Sequence, residues 1–148
     1  MSSFYTHQIL TKSIPNSKYA ILLRTDFTND STWSQICLEI QTPEKQHGFL
    51  ANISYVNDSS FKSYSAMELG ADTIKNYPYS FIFFADSVTN TNPEHPVLCI
   101  GLKKNKSKSF RVIPSEVWGV ENNLSISNMD FEDFSKSADH DGVFRGFK

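Results

Sequence analysis

Cysteine is scarce in this 148-residue chain: there are two, Cys37 and Cys99, without paired or metal-binding spacing. No disulfide framework or zinc site is expected to organise the fold, and both residues read as buried free thiols at apolar positions. Glycine is sparse too, with six residues and no Gly-rich phosphate loop or GKS/T motif. That argues against a P-loop nucleotide site, and the absence of GxSxG and HExxH argues against the familiar hydrolases and metalloproteases. No stretch approaches the roughly 18 apolar residues of a membrane span. The start, MSSFYTHQIL, lacks a basic region followed by an apolar one, so no signal peptide and a cytoplasmic setting are expected. Charge of one sign is lacking as well. A formal net charge of −2 and a pI near 6.0 leave no electrostatic footprint for nucleic acid. The basic run at residues 103–108 reads as a solvated hairpin tip.

Aromatic residues are plentiful, with 12 Phe and 2 Trp. A chain of this length buries roughly 70% of its unfolded surface, so one self-sufficient core is expected. Residues 1–18 are polar, end at a Pro-Asn turn signal, and read as an N-terminal arm; residues 19–148 form the domain. Residues 19–23 (YAILL) are a continuous apolar run, the mark of a strand covered on both faces. Trp33, Ile36, Cys37 and Ile40 follow at helical spacing, and Thr42-Pro43 stops that helix. Residues 50–56 alternate as a second strand, completing a βαβ unit. A helix is predicted over residues 65–76 around Gly70. Strands follow over residues 80–85, 97–102 and 109–113, joined by links too short for crossover helices and so antiparallel. Val117, Val120 and Leu124 mark a third helix. Ser127 or Asn128 caps a fourth, holding Met129, Phe131, Phe134 and Ala138. The tail at 139–148 carries Phe144 and Phe147 and is expected to pack. The fold class is α/β: a single domain with a mixed five-stranded sheet (βαβαβββαα) and helices on both faces.

Three acids stand at the carboxyl ends of the first three strands: Asp26, Asp58 and Asp86. If those strands run parallel, the acids share the edge where open α/β sheets bind ligands. Converged carboxylates suit a hard cation such as Mg²⁺ or Mn²⁺, whereas separated ones are ordinary turn formers and helix caps. Arg24 lies beside Asp26 as a candidate phosphate-binding group. Glu94-His95, between two prolines, is a candidate acid/base pair, the alternative being a rigid turn with polar side chains. Asp139-His140-Asp141 could chelate a divalent ion, but adjacent residues do not all point at one site without a special turn, so a structural role is expected. Glu116, Trp118, Glu121, Asn122 and Asn123 set large polar groups beside an indole. That is either a recognition surface or a helix end whose amides satisfy backbone groups.

Several blocks together resemble a known family: Arg24-Thr25-Asp26-Phe27, Pro93-Glu94-His95-Pro96, Phe110-Arg111-Val112, EVWGVENNLS from Glu116, Asn128-Met129-Asp130-Phe131, and Asp141-Gly142-Val143-Phe144-Arg145-Gly146. The family is one of small, mostly bacterial proteins known only as a domain of unknown function. The resemblance spans residues 19–147. It implies one compact domain and brings no activity, cofactor or catalytic residue with it. Two expectations of function follow. The first is a binding or accessory protein that recognises a partner protein or small molecule through Arg24, Trp118, Glu121, Asn122 and Asn123 together with Asp26 and Asp86, without a cofactor. The alternative is a Mg²⁺- or Mn²⁺-dependent enzyme acting on a phosphorylated or nucleotide substrate. There Asp26, Asp58 and Asp86 hold the metal and Asp26, Asp86 and His95 are the catalytic candidates.

Overall fold

The computed structural model describes residues 11–148. Of the N-terminal arm expected over residues 1–18, residues 1–10 lie outside the described residues. The first strand, β1 (Ala20–Arg24), is buried at all five positions. Its two-sided apolar run puts Ala20 and Leu22 into one core and Ile21 and Leu23 into the other. Helix α1 (Asp30–Gln41) follows, capped by Asn29 Oδ1, which accepts from Thr32 N at 3.0 Å. Trp33, Ile36 and Ile40 are buried on its sheet-facing side, while Cys37 is half-buried.

Strand β2 (Ile53–Val56) is shorter than the alternation over 50–56 predicts. Side chains of the third helix reach the backbone ahead of it: Glu121 accepts from Asn52 N and Asn122 donates to Leu50 O. Those groups are therefore removed from ladder pairing. Strand β3 (Phe81–Ala85), helix α2 (Ser87–Thr91), β4 (Val97–Gly101), β5 (Ser109–Val112), α3 (Val117–Leu124), α4 (Phe131–Ser135) and β6 (Val143–Phe144) complete the chain. The sheet order is β2-β1-β3-β4-β5-β6. β1 pairs parallel with β2 and β3, while β3–β4 and β4–β5 are antiparallel as expected.

The α/β class and the mixed sheet agree with the sequence reading, but the sheet has six strands rather than five. The sixth comes from the tail, where Val143–Phe144 pairs parallel with β5. Two residues carry no readable periodicity. The helix predicted over 65–76 is not α-helical. A 3-10 turn at Ala66–Glu68 opens the segment, and Thr73 Oγ1 then binds Gly70 N and Glu68 O at 2.8 and 2.9 Å. A hydroxyl that competes for backbone groups beside a glycine ends helical propagation. The last helix starts later than predicted: Asp130 is its N-cap, with Asp133 Oδ2 accepting from Asp130 N at 2.8 Å, whereas Ser127 has φ 55°. Gly101 closes the β4–β5 hairpin, and a Cβ there would stand 2.1 Å from Asn105 O, so no other residue fits.

The two sheet faces are covered differently. Helices α1, α3 and α4 pack on one, contributing Trp33, Val120 and Phe134 to a core shared with Phe83, Cys99 and Phe110. The link between β2 and β3 crosses the other face without an α-helix, placing Phe61, Tyr64, Ile74 and Tyr77 over Ile21, Leu23, Ile82 and Phe84. No helix among the described residues is long and apolar enough to cross a membrane.

Candidate functional site

Because β1, β2 and β3 run parallel, their carboxyl ends share one edge, and the three acids leave the sheet there. What each acid does is set by the turn that follows it. Asp58 caps the 3-10 turn Ser59–Phe61, accepting from Ser60 N and Oγ at 3.0 and 2.7 Å, with Lys12 Nζ at 3.4 Å. Asp86 caps α2 through Thr89 N at 3.1 Å and takes both terminal nitrogens of Arg111 at 2.9 and 2.7 Å. Burial pushes the Asp86 carboxyl up, but the Arg111 and Thr89 hydrogen bonds outweigh it and leave it below the usual range. Asp26 Oδ1 accepts from the Thr28 hydroxyl and amide at 2.6 and 2.9 Å. The hydroxyl bond is the main cause that holds the Asp26 carboxyl low, against partial burial. Among the described residues no group of three His, Cys, Asp or Glu side chains comes together to hold a metal ion.

Asp26 and Asp86 do line a common cleft of about 450 Å³; Asp58 does not. Thr25, Phe27 and Thr28 form one wall after β1, and Lys62, Ser63, Tyr64 and Ser65 from the β2–β3 link form the other, over a floor of Phe84 and Leu98. The link is pinned by Ser63 N, which donates to Thr25 O at 2.9 Å with Ser63 at φ 63°. Inside this cleft the Asp86 charge is matched by Arg111. Asp26 Oδ2 makes no hydrogen bond among the described residues. The Asn90 amide lies near enough to favour the ionised Asp26, yet its Nδ2 is buried without a partner of its own.

The family comparison falls on this same scaffold, matching residues 19–147 to a domain of unknown function. The chain belongs to that family, DUF6924. A search of curated proteins found no match. The matched span holds the whole sheet and both cleft walls, so the cleft is part of the DUF6924 domain itself.

Arg24 sits apart from the cleft, on the helical face and only 3% exposed. Its guanidinium donates to Asp26 O, Asn57 Oδ1 and Asp30 Oδ1 at 3.1, 3.2 and 2.7 Å, and it stacks over Phe27 and Trp33. It ties the ends of β1 and β2 to the start of α1, and every nitrogen is engaged. His95 (φ 52°) donates Nδ1–H to Thr89 O at 2.9 Å. Its neighbour Glu94 turns away to a two-point contact with Arg145 at 2.9 and 2.8 Å. The Glu94-His95 pair is therefore not assembled as an acid and a base. Arg145 also holds Asp139 and Asp141, and its hydrogen bonds bring the Asp141 carboxyl down to about 2.

The α3 group is likewise separate from the cleft, on the opposite face. Glu121 is 3% exposed, accepting from Asn52 N at 2.6 Å, Asn122 Nδ2 at 2.9 Å and Ser125 Oγ at 2.6 Å. Asn123 donates to Gly119 O at 2.7 Å and accepts from Asn128 at 2.8 Å. These side chains join α3 to the β2 entrance. Trp118 is half-buried against Phe49, with ring centroids 5.5 Å apart, and Phe49 stacks in turn on His47. Lys62, Ser63, Tyr64, Ser65 and Leu98 escape sequence reasoning. The signal that finds them is topological: β1 lies between β2 and β3, and α1 covers one face. The link from β2 to β3 must therefore cross the other face and meet the carboxyl edge.

Proposed function

We propose that this domain is a binding protein and that its ligand seat is the cleft beyond β1 and β3. The ligand presents a cationic, hydrogen-bond-donating group to Asp26. One observation carries this reading: Asp26 Oδ2 stands in a walled cleft without a partner among the described residues, while the neighbouring acid, Asp86, is already matched by Arg111. A charge-assisted hydrogen bond to a carboxylate held ionised gives orientation as well as affinity. Phe27, Phe84 and Tyr64 supply apolar contact around it, the usual composition of a small-ligand site. Binding is favoured over catalysis because Glu94 is tied to Arg145 and the close acid–hydroxyl contact in the cleft, Thr28 Oγ1 on Asp26 Oδ1, closes a local turn.

The test is an amide NMR titration with agmatine, a guanidinium and an amine on a short chain. The expected outcome is localised shifts at Thr25, Asp26, Ser63 and Ser65, and about a tenfold loss of affinity in Asp26→Asn, equivalent to about 1.4 kcal/mol. Asparagine keeps an oxygen for the Thr28 turn, so the fold should survive. Diffuse shifts indifferent to Asp26→Asn would overturn the reading.

A further inference from the structure

The Asp26 cleft holds charge of both signs. Its charged lining residues are Asp26, Asp86 and Lys62. Asp86 is matched by Arg111, which donates to both of its oxygens at 2.9 and 2.7 Å. Asp26 and Lys62 remain, the first on the wall that follows β1, the second on the wall built by the β2–β3 link. The exposed Lys62 side chain has no hydrogen-bond or ion-pair partner among the described residues, so the two charges are not joined across the cleft. Its place in the chain is fixed all the same. Phe61 and Tyr64, on either side, are buried in the core beneath the link. Lys62 N donates to Ser59 O at 3.0 Å, and Ser63 N donates to Thr25 O at 2.9 Å. The second bond ties the Lys62 wall directly to the Asp26 wall. The Ser63 hydroxyl lines the cleft beside Lys62, also without a partner among the described residues.

We infer that the cleft takes a small zwitterion, an amino or guanidino acid whose cationic group meets Asp26 and whose carboxylate meets Lys62. The inference rests on the reading of Asp26 as a cation seat and adds the second charge, which sets the class of ligand. With Asp86 matched, the two remaining charges sum to zero. A ligand that is only cationic gains from Asp26 but is opposed by Lys62, whereas one charge of each sign satisfies both walls. A single ammonium beside a hydroxyl suits the one negative charge of a carboxylate. A phosphate, with nearly two charges at neutral pH, would leave the second without a partner. Phe84 and Leu98 on the floor are apolar and suit a short run of methylenes between the charged ends. A cleft of about 450 Å³ is also of the size that holds small molecules.

The experiment titrates the full ¹⁵N-labelled chain with 4-guanidinobutyrate and with agmatine. Both carry a guanidinium on a short methylene chain, but the far end is a carboxylate in the first and an ammonium in the second. The wild type should bind 4-guanidinobutyrate about threefold to fivefold tighter than agmatine, the scale of one exposed ion pair. Lys62→Gln should bring the two ligands level, and Lys62→Glu should reverse their order, an inversion that a merely structural role does not produce. The Lys62 side chain holds no other group among the described residues, so both variants should fold. Asp26→Asn should weaken both ligands by about tenfold. Agmatine binding that depends on Asp26, with 4-guanidinobutyrate no tighter or with its order unchanged in Lys62→Glu, would overturn the zwitterion and leave the cation seat standing. No response to either ligand, or responses indifferent to Asp26→Asn, would remove both.

Discussion

The helical face of the sheet is sealed, whereas the opposite face is sealed only in part. On the helical face Phe110, Phe131, Phe134 and Phe144 interlock edge-to-face and stacked, with centroids 5.1 to 6.2 Å apart, beneath α3 and α4. On the other, the cover over β1 and β3 is built of 3-10 turns anchored by single rings such as Phe61 and Tyr64, and Leu98 of β4 is left half-buried at the cleft floor. A helix presents a continuous apolar stripe, while an irregular link covers only what its few inward side chains reach. Where coverage by irregular chain stops, clefts open and polar groups stay available, and binding sites tend to sit on such segments.

The strongest way to break this contrast is to truncate one residue on each face. Phe134→Ala, fully buried among three other rings, should cost about 3–5 kcal/mol in urea unfolding. Leu98→Ala on the cleft floor should cost about 1 kcal/mol or less because the side chain is only half-buried. Equal losses would mean that the cleft floor is part of the closed core.

Next in size is the Asp86–Arg111 pair, which braces the open face. Asp86→Asn should destabilise by about 1.5–3 kcal/mol at neutral pH, the scale of hydrogen bonds to charged groups. The folded carboxyl titrates below its ordinary value. Its contribution is therefore complete above the unfolded value of about 3.9 and is lost as pH falls through the folded one. Urea midpoints measured from pH 7 down to pH 2 should fall less steeply in Asp86→Asn than in the wild type. A parallel acid profile would show that the pair is not linked to folding.

Two smaller effects sharpen the division between scaffold and site. Glu121→Ala leaves Asn52 N without its acceptor and should cost about 1–3 kcal/mol while leaving agmatine binding unchanged. If ligand affinity fell with it, the α3 cluster would be coupled to the cleft across the sheet. Cys37 should react least of all these probes: burial pushes its thiol up to about 11, so little thiolate exists near pH 7. Rapid labelling of the native protein by a thiol reagent would show α1 opening from the sheet.

Much of this architecture is local and readable in order along the chain. The apolar runs at 19–23 and 80–85, the helical spacing of Trp33, Ile36 and Ile40, and the short links after β3 point to the parallel β1–β2 unit and two antiparallel pairings, while leaving the parallel β1–β3 pairing open. Each depends on contacts between near neighbours or on chain length alone. The two-residue β6 was hidden because two residues carry no readable periodicity. The segment at 65–76 was misread because Thr73 competes with helical hydrogen bonding through a side chain that composition does not reveal.

For the site, sequence alone determined that polar groups gather at the carboxyl edge. Tertiary structure decided which of them are already engaged. Arg24 is enclosed between Phe27 and Trp33, Asp86 is matched by an arginine 25 residues on, and Glu121 is held by a backbone amide 69 residues away. Among the described residues, Asp26 alone of the three strand-end acids brings an unpaired oxygen into a cleft whose second wall comes from a separate crossing segment. Whether a charged side chain is scaffold or site depends on partners distant in sequence, because hydrogen bonds and ion pairs are decided by positions in space.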